Sequence, residues 1–346
     1  MPNRVFVAPM CQYSSETDGL ATSWHMVHLG TRAAGGAGLV VAEATAVRPE
    51  GRISPWDQGM WSDAHIDVLR PITEFIASQG SVPAVQLAHM PVGRLRRPHR
   101  GQVPDLSGGT KVDGSRSPRA RCLRMKTWEF LKSYRSRKSP KSSRPSRMRL
   151  HAPSPGATGW WSFTLRMDIS AASFFRRSRI DVMTNMAGRS KFVLDVIAAV
   201  RGAIPESTPL FARISATEYV EGGWDLEQSV QFSKWMKDTG VDLVDCSSGG
   251  NSPDQVMPLS PGYQVLFAAE IRERAGMLTG AVGLITEAEQ AEAILAAGEA
   301  DAIFLERELL RNPYWPRYAQ AQLDGKAAWP DQYIRSAFEG TYVGPR

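Results

Sequence analysis

Val82-Pro-Ala-Val-Gln-Leu-Ala-His89 is the stretch on which the fold turns. Residues 82–87 are short, mostly apolar and rich in valine and leucine, as a strand buried on both faces should be. Six other runs share this character: residues 5–8, 38–43, 210–214, 241–246, 277–281 and 302–305. Helix-type stretches lie between them. Residues 64–78 place Ile66, Leu69, Ile72 and Ile76 at helical spacing, and residues 226–239, 287–297 and 308–323 behave similarly. Strands alternating with helices imply parallel βαβ units. Seven strands, with a gap after His89 where another unit would fit, predict an α/β chain folded as a (β/α)8 TIM barrel. The region of its third helix and fourth strand is disrupted. A doubly wound open sheet is the rival. No GxGxxG follows the first strand, which weighs against a Rossmann dinucleotide site.

The disruption is visible as charge. Residues 91–190 hold 23 of the 41 Lys+Arg and 5 of the 35 Asp+Glu, so that stretch carries +18 and the remainder −12, against +6 for the whole chain. Residues 94–149 contain RLRRPHR, SRSPRARCLR and SYRSRKSPKSSRPSRMR, without a sustained period of 2 or 3.6. Taken literally, this is a disordered basic arm of the kind that binds nucleic acid on a decayed barrel. Real RNA-binding modules interleave aromatic platforms with their charges. Here only Trp128, Phe130 and Tyr134 are nearby, so a nucleic-acid partner is not expected.

Other compositional facts narrow the class. A chain of 346 residues with 42% apolar content suits one large barrel or two domains. Cys11, Cys122 and Cys246 make no paired framework, and a cysteine-ligated iron–sulfur cluster wants about four thiolates. No run of about 18 apolar residues marks a membrane span. The first residues lack a basic-then-apolar leader, so the expected location is cytoplasmic. His25 and His28 have a metal-like spacing, but no third ligand accompanies them and no metal site is expected.

The flanks resemble the Old Yellow Enzyme family of FMN-dependent ene-reductases, in its bacterial thermophilic-like branch. The resemblance is carried by Ala8-Pro-Met-Cys-Gln-Tyr13, Trp24-His-Met-Val-His28, Glu43-Ala-Thr-Ala-Val47, Gly51-Arg-Ile-Ser54 and Gln86-Leu-Ala-His89. It continues in Phe211-Ala-Arg-Ile-Ser-Ala216, Glu221-Gly-Gly-Trp224, Asp245-Cys-Ser-Ser-Gly-Gly250, Pro261-Gly-Tyr-Gln264, Thr279-Gly-Ala-Val-Gly283 and Arg307-Glu-Leu-Leu-Arg-Asn-Pro-Tyr-Trp315. Residues 1–89 then read as the first part of an FMN barrel and 189–323 as the second. Residues 90–188 form an aberrant basic segment, and 324–346 a C-terminal tail at a subunit interface.

The resemblance also shows what is missing. The family continues Gln-Leu-Ala-His with Ala-Gly-Arg. It carries His-Ala-Ala-His-Gly-Tyr on its fourth strand, then Asn-Arg-Arg-x-Asp-Glu-Tyr-Gly-Gly. This chain has Met90-Pro-Val-Gly93, Phe163-Thr-Leu-Arg-Met-Asp168 and Arg179-Ile-Asp-Val-Met-Thr-Asn-Met-Ala-Gly188. Reading each window from the third base of its codons recovers the family pattern. The offset forces Ala from Met90 and Pro91. It forces Gly from Met167 and Asp168, Asp from Met183 and Thr184, and Gly from Met186 and Ala187. The remaining family residues are permitted. One offset serves all three windows, so residues 90 to about 188 read as a frame-shifted spelling of an ordinary family member. As written, the chain is expected to lose its fourth strand and to fold poorly or bind flavin weakly.

By the same resemblance, Ala8, Pro9, Met10 and Cys11 line the flavin ring, Ala44 and Gln86 meet its pyrimidine edge, and Arg213 lies beside N1. Cys11 tunes the flavin, and Tyr13 hydrogen-bonds the substrate carbonyl. Gly280 and Gly283 bring backbone to the phosphate, with Arg307 beside it. Glu306 stands where the family has Gly or another small residue, and a carboxylate beside a phosphate is repulsive. Trp315 and Arg335 lie near the substrate pocket, the arginine offered by a neighbouring subunit, which implies a homo-oligomer. The implied activity is reduction of α,β-unsaturated carbonyl compounds by NADPH or NADH, acting on a small-molecule enone.

Overall fold

The computed structural model describes residues 1–89, 162–166, 182–250, 252, 254–337 and 342–343. Eight parallel strands close into a barrel in chain order. They are β1 (Val5–Val7), β2 (Leu39–Ala46), β3 (Val82–Ala88), β4 (Ser162–Arg166), β5 (Leu210–Ser215), β6 (Leu243–Ser247), β7 (Leu278–Ala281) and β8 (Ala302–Leu305). β8 returns to β1 through Val5↔Ile303, Phe6↔Phe304 and Val7↔Leu305, which rules out the open-sheet alternative and leaves no barrel edge unpaired. The helices are α1 (Ser23–Ala34), α2 (Asp63–Ser78), α3 (Val182–Arg201), α4 (Leu226–Asp238), α5 (Val265–Ala275), α6 (Ala288–Ala296), α7 (Arg307–Arg311) and α8 (Trp315–Asp324). Two short strands, β9 (Ala327–Ala328) and β10 (Tyr342–Val343), flank a 3-10 turn at Asp331–Ser336.

The fourth strand is where the shifted window places it. Its register runs from Ala84↔Ser162 to Leu87↔Leu165 on β3, and from Phe163↔Leu210 to Arg166↔Arg213 on β5. The expected loss of this strand is therefore corrected at the level of the backbone. Ladder pairing uses main-chain N–H and C=O groups, which a sequence without proline supplies whatever its side chains. The helix expected after the third strand, and most of the basic segment, lie outside the described residues.

Strand parity divides the core in two. Phe6, Leu39, Val41, Ala84, Phe211, Leu243, Ala302 and Phe304 form one cluster, the packed filling of the barrel. Their neighbours Val40, Val85, Leu210, Ala212, Val244, Cys246 and Ile303 belong to the larger cluster under the helices. Cys246 is thus a small buried apolar residue. The helix expected over 308–323 is broken into α7 and α8. Asn312, which precedes Pro313, is extended (φ −132°, ψ 91°), as the proline ring demands of its predecessor. Pro316 sits at the start of α8, where a missing N–H is harmless.

Candidate active site

A cleft of about 360 Å³ opens at the carboxyl ends of β5 to β8, lined among others by Arg213, Ser215, Gly249, Gln264, Gly283 and Arg307. This is the face on which barrel enzymes build their sites. Arg213, in the second half of β5, forms a forked ion pair. One arm donates to Asp245 Oδ2 at 2.8 Å, the other to Glu306 Oε1 at 2.5 Å. Burial opposes its charge, but Asp245 and Glu306 outweigh that and hold it above its ordinary value. Glu306 therefore neutralises the cation expected beside the flavin. Arg311 is paired with Glu308. Among the described arginines of the cleft, Arg307 alone has no carboxylate in ion-pair reach, and it is exposed.

Gly283 and Gly280 answer to different needs. Gly283 lies in the cleft with φ +111°, a left-handed backbone that favours glycine. Gly280 is buried, and a Cβ there would stand 2.3 Å from the Phe304 ring. Its missing side chain makes room for barrel packing.

The second half of the site comes from β1 to β3. Ala8 is buried, and the loop of Pro9, Met10, Cys11, Gln12 and Tyr13 is half-buried. Tyr13 adopts φ +50°. Burial, then the neighbouring Cys11, pushes its phenol up to about 12. At neutral pH it is a hydrogen-bond donor. On β2, the register slips between Ala42 and Ala44, so that Ala44 pairs with Gln86 on β3. Gln86 is 0% exposed, and neither its Nε2 nor its Oε1 has a hydrogen-bond partner. A buried amide with donor and acceptor both unpaired is a group that expects a ligand. Flavin offers a matching edge of ring amide groups, so the residues present fit FMN at this end. The phosphate end fits through Arg307 and Gly283, with Glu306 opposing it.

The structure thus brings Arg213, Gly283, Glu306 and Arg307 into one cleft, and Ala44 and Gln86 into register on adjacent strands. Trp315 is buried in the core, its indole donating to Thr286 O at 2.7 Å. Arg335 lies exposed on the 3-10 turn. Reading the sequence missed Ser248, Tyr263 and Gln264 as cleft residues, although their motifs were legible. Gln264 Nε2 donates to Ser248 Oγ at 2.7 Å, beside the Tyr219 hydroxyl at 2.9 Å. Among the described residues, His25 and His28 gather no further ligands into a group that could hold a metal ion. His25 pairs with Glu43 at 3.1 Å, while burial, with Arg32 and His25 adding, pushes His28 down to about 3.

A family model described as the NADH:flavin oxidoreductase / NADH oxidase family matches residues 1–109 and 184–326. The chain belongs to that family. It is 41% identical over 338 residues to an NADPH dehydrogenase of Bacillus cytotoxicus, covering 97% of this chain and 93% of the relative. It is 38% identical over 346 residues to an NADPH dehydrogenase of Halalkalibacterium halodurans, with 97% and 95% covered. Among solved structures, the fold matches an Old Yellow Enzyme homologue from Zymomonas mobilis at TM-score 0.60 and 19% identity, over 99% of this chain and 93% of that one. Morphinone reductase matches at TM-score 0.62 and 18% identity, over 99% and 90%. As a member of this family the protein is an oxidoreductase that works with FMN and NADPH. No described helix is long and apolar enough to cross a membrane.

Proposed function

We propose that this oxidoreductase reduces the C=C bond of α,β-unsaturated carbonyl compounds. The observation that carries the proposal is the unpaired, buried amide of Gln86 in register with Ala44, on the same barrel face as the Tyr13 loop and the Arg213 cleft. Bound FMN would supply the hydride relay from NADPH to the β-carbon of the enone, and the α-carbon would take its proton from solvent. Gln86 orients its pyrimidine edge, and Ala8, Pro9 and Met10 give it an apolar wall. Arg213 stands at the ring edge with its charge offset by Asp245 and Glu306. Arg307 and the Gly283 backbone hold the phosphate. Tyr13, neutral up to high pH, donates a hydrogen bond to the substrate carbonyl, and Cys11 beside it tunes the flavin. Trp315 supports the substrate pocket, and Arg335 reaches a neighbouring subunit of a homo-oligomer.

The same proposal covers the basic segment. Residues 90–188 are a one-base-shifted spelling of the family sequence, and the shift removes the histidine pair that would hold the carbonyl oxygen. The gap between the two matched parts of the family model, residues 110–183, falls within this segment, while residues 90–109 and 184–188 lie in the matched parts. The test is to express the chain as written beside a version respelled by one base over codons 90–188. The respelled protein should be yellow, stoichiometric in FMN and at least about 10²-fold faster with NADPH and an enone, the scale of a lost transition-state contact. Equal activity and equal flavin content in the two would overturn the reading.

A further inference from the structure

We propose that Glu43 and His25 are a buried positioning pair that fixes the loop bearing Cys11 and Tyr13 at the mouth of the barrel. The inference rests on the proposed function for the importance of those two residues. Its geometry stands alone. Glu43 is the extra residue of a β-bulge: Ala42 pairs with Val85 and Ala44 with Gln86, leaving Glu43 without a partner on β3. Bulges re-aim a side chain and recur beside active sites. Here the carboxylate is turned into the protein, 4% exposed, against His25 at 1%.

Both carboxylate oxygens are committed. Oε1 faces His25 Nε2 at 3.1 Å, and Oε2 accepts the Gln12 backbone N–H at 2.8 Å. The Thr22 N–H donates to His25 Nδ1 at 2.9 Å. That nitrogen is an acceptor, so the ring proton sits on Nε2, aimed at Glu43. Gln12 is held again by its side chain, which donates to Met10 O at 2.9 Å and accepts from the Trp24 indole at 3.0 Å. Its neighbours in sequence are Cys11 and Tyr13. Tyr13 keeps a left-handed backbone, φ +50°. Such a conformation is strained for a bulky residue and persists only where the surroundings over-determine it. A buried apolar pair would be a less demanding way to stabilise the fold, but it would leave the Gln12 N–H unpaired.

Glu43→Gln tests the pair. The two donors face different oxygens of the carboxylate, and glutamine puts an NH₂ group in place of one of them, so one donor must face another donor. In the full chain carrying Cys122→Ser, iodoacetamide should alkylate Cys11 about tenfold faster in E43Q than in the parent, without a matching fall in Tm. Buried Cys246 should stay unreactive. Glu43→Asp keeps two oxygens and should lie nearer the parent rate. If E43Q does not fold, hydrogen exchange on the parent decides. The Gln12 amide should be protected like those of β2. A Gln12 amide that exchanges as an open loop, or a Cys11 rate unchanged in E43Q, overturns the proposal. No arm uses enone turnover, so failure of the functional reading and failure of the brace are separable.

Discussion

Gln86→Leu should move stability and cofactor binding in opposite directions. Gln86 is fully buried, and both polar atoms of its amide lack partners in the protein. Leaving such a group unsatisfied costs about 1–3 kcal/mol. Leucine has a similar volume and no polar atoms, so the flavin-free variant should unfold about 1–2 kcal/mol later than the parent. In the FMN-bound protein the sign reverses. The parent amide gains about two hydrogen bonds at ~1 kcal/mol each, and the variant leaves the flavin edge unpaired as well. FMN affinity should fall by about 10²-fold, the equivalent of some 2.7 kcal/mol. At FMN concentrations of 100 Kd the parent is stabilised by about 2.7 kcal/mol and the variant hardly at all. The order of unfolding midpoints in urea should therefore invert between apo and FMN-saturated samples. Fluorescence titration of FMN gives the affinity independently. A Q86L protein less stable than its parent without flavin, yet equally tight for FMN, would show that Gln86 is a structural strand-end residue and refute the assignment.

Three further outcomes follow from single contacts. Glu306→Gln frees one arm of Arg213 and removes a negative charge from the cleft, worth about 1–4 kcal/mol at contact distance according to solvent access. FMN should bind about tenfold more tightly, and unchanged or weaker binding would sink the view that Glu306 opposes the cofactor. Gly280→Ala places a methyl carbon 2.3 Å from the Phe304 ring. Overpacking of this kind costs about 1–3 kcal/mol, and Phe304→Leu should recover much of it; an additive double variant would refute the clash. His28, pushed down to about 3 by burial, Arg32 and His25, is held neutral by the fold, whereas the unfolded chain protonates it near its ordinary value. Its contribution is complete above pH ~6.5 and is lost as pH falls toward 3, by at most about 1.4 kcal/mol per unit. His28→Leu should flatten that part of the urea-unfolding profile, and an unchanged slope would assign the acid sensitivity elsewhere.

What could be read in the sequence and what could not divide along physical lines. The strands were legible because a strand buried on both faces must be an unbroken apolar run, and seven such runs sit within a few residues of the observed barrel. α5 escaped because it follows a long irregular loop, and its apolar start, Val265-Leu-Phe-Ala-Ala269, is unbroken rather than periodic, with its charges gathered at 270 and 272–274. The single helix expected over 308–323 failed at Pro313, whose effect on Asn312 outweighed the periodic pattern around it. Site residues were legible where motif order placed them on successive strand ends. Motif order gives no partners. Glu306 could be read as an intruder beside a phosphate, yet only the fold shows its carboxylate on Arg213. Gly280 and Gly283 look alike in Thr279-Gly-Ala-Val-Gly283, yet one makes room for Phe304 and the other provides a left-handed turn.

The bulge at Glu43 shows why this division is general. A one-residue slip in register reverses every later side chain on a strand. After the bulge, Ala44 stands opposite Gln86, and Glu43 turns away to hold Gln12. Nothing in the run Leu39–Ala46 announces the slip, since all eight residues are buried and all but two are aliphatic. The signal lies instead in the residue type. A glutamate in the middle of a fully buried strand has no low-energy place unless donors meet it. The search for those donors leads off the strand, to His25 and the Gln12 N–H, and so to the loop that bears Cys11 and Tyr13. A charged residue inside an otherwise apolar strand of a barrel is therefore better read as a question about which loop it holds than as a defect in the pattern.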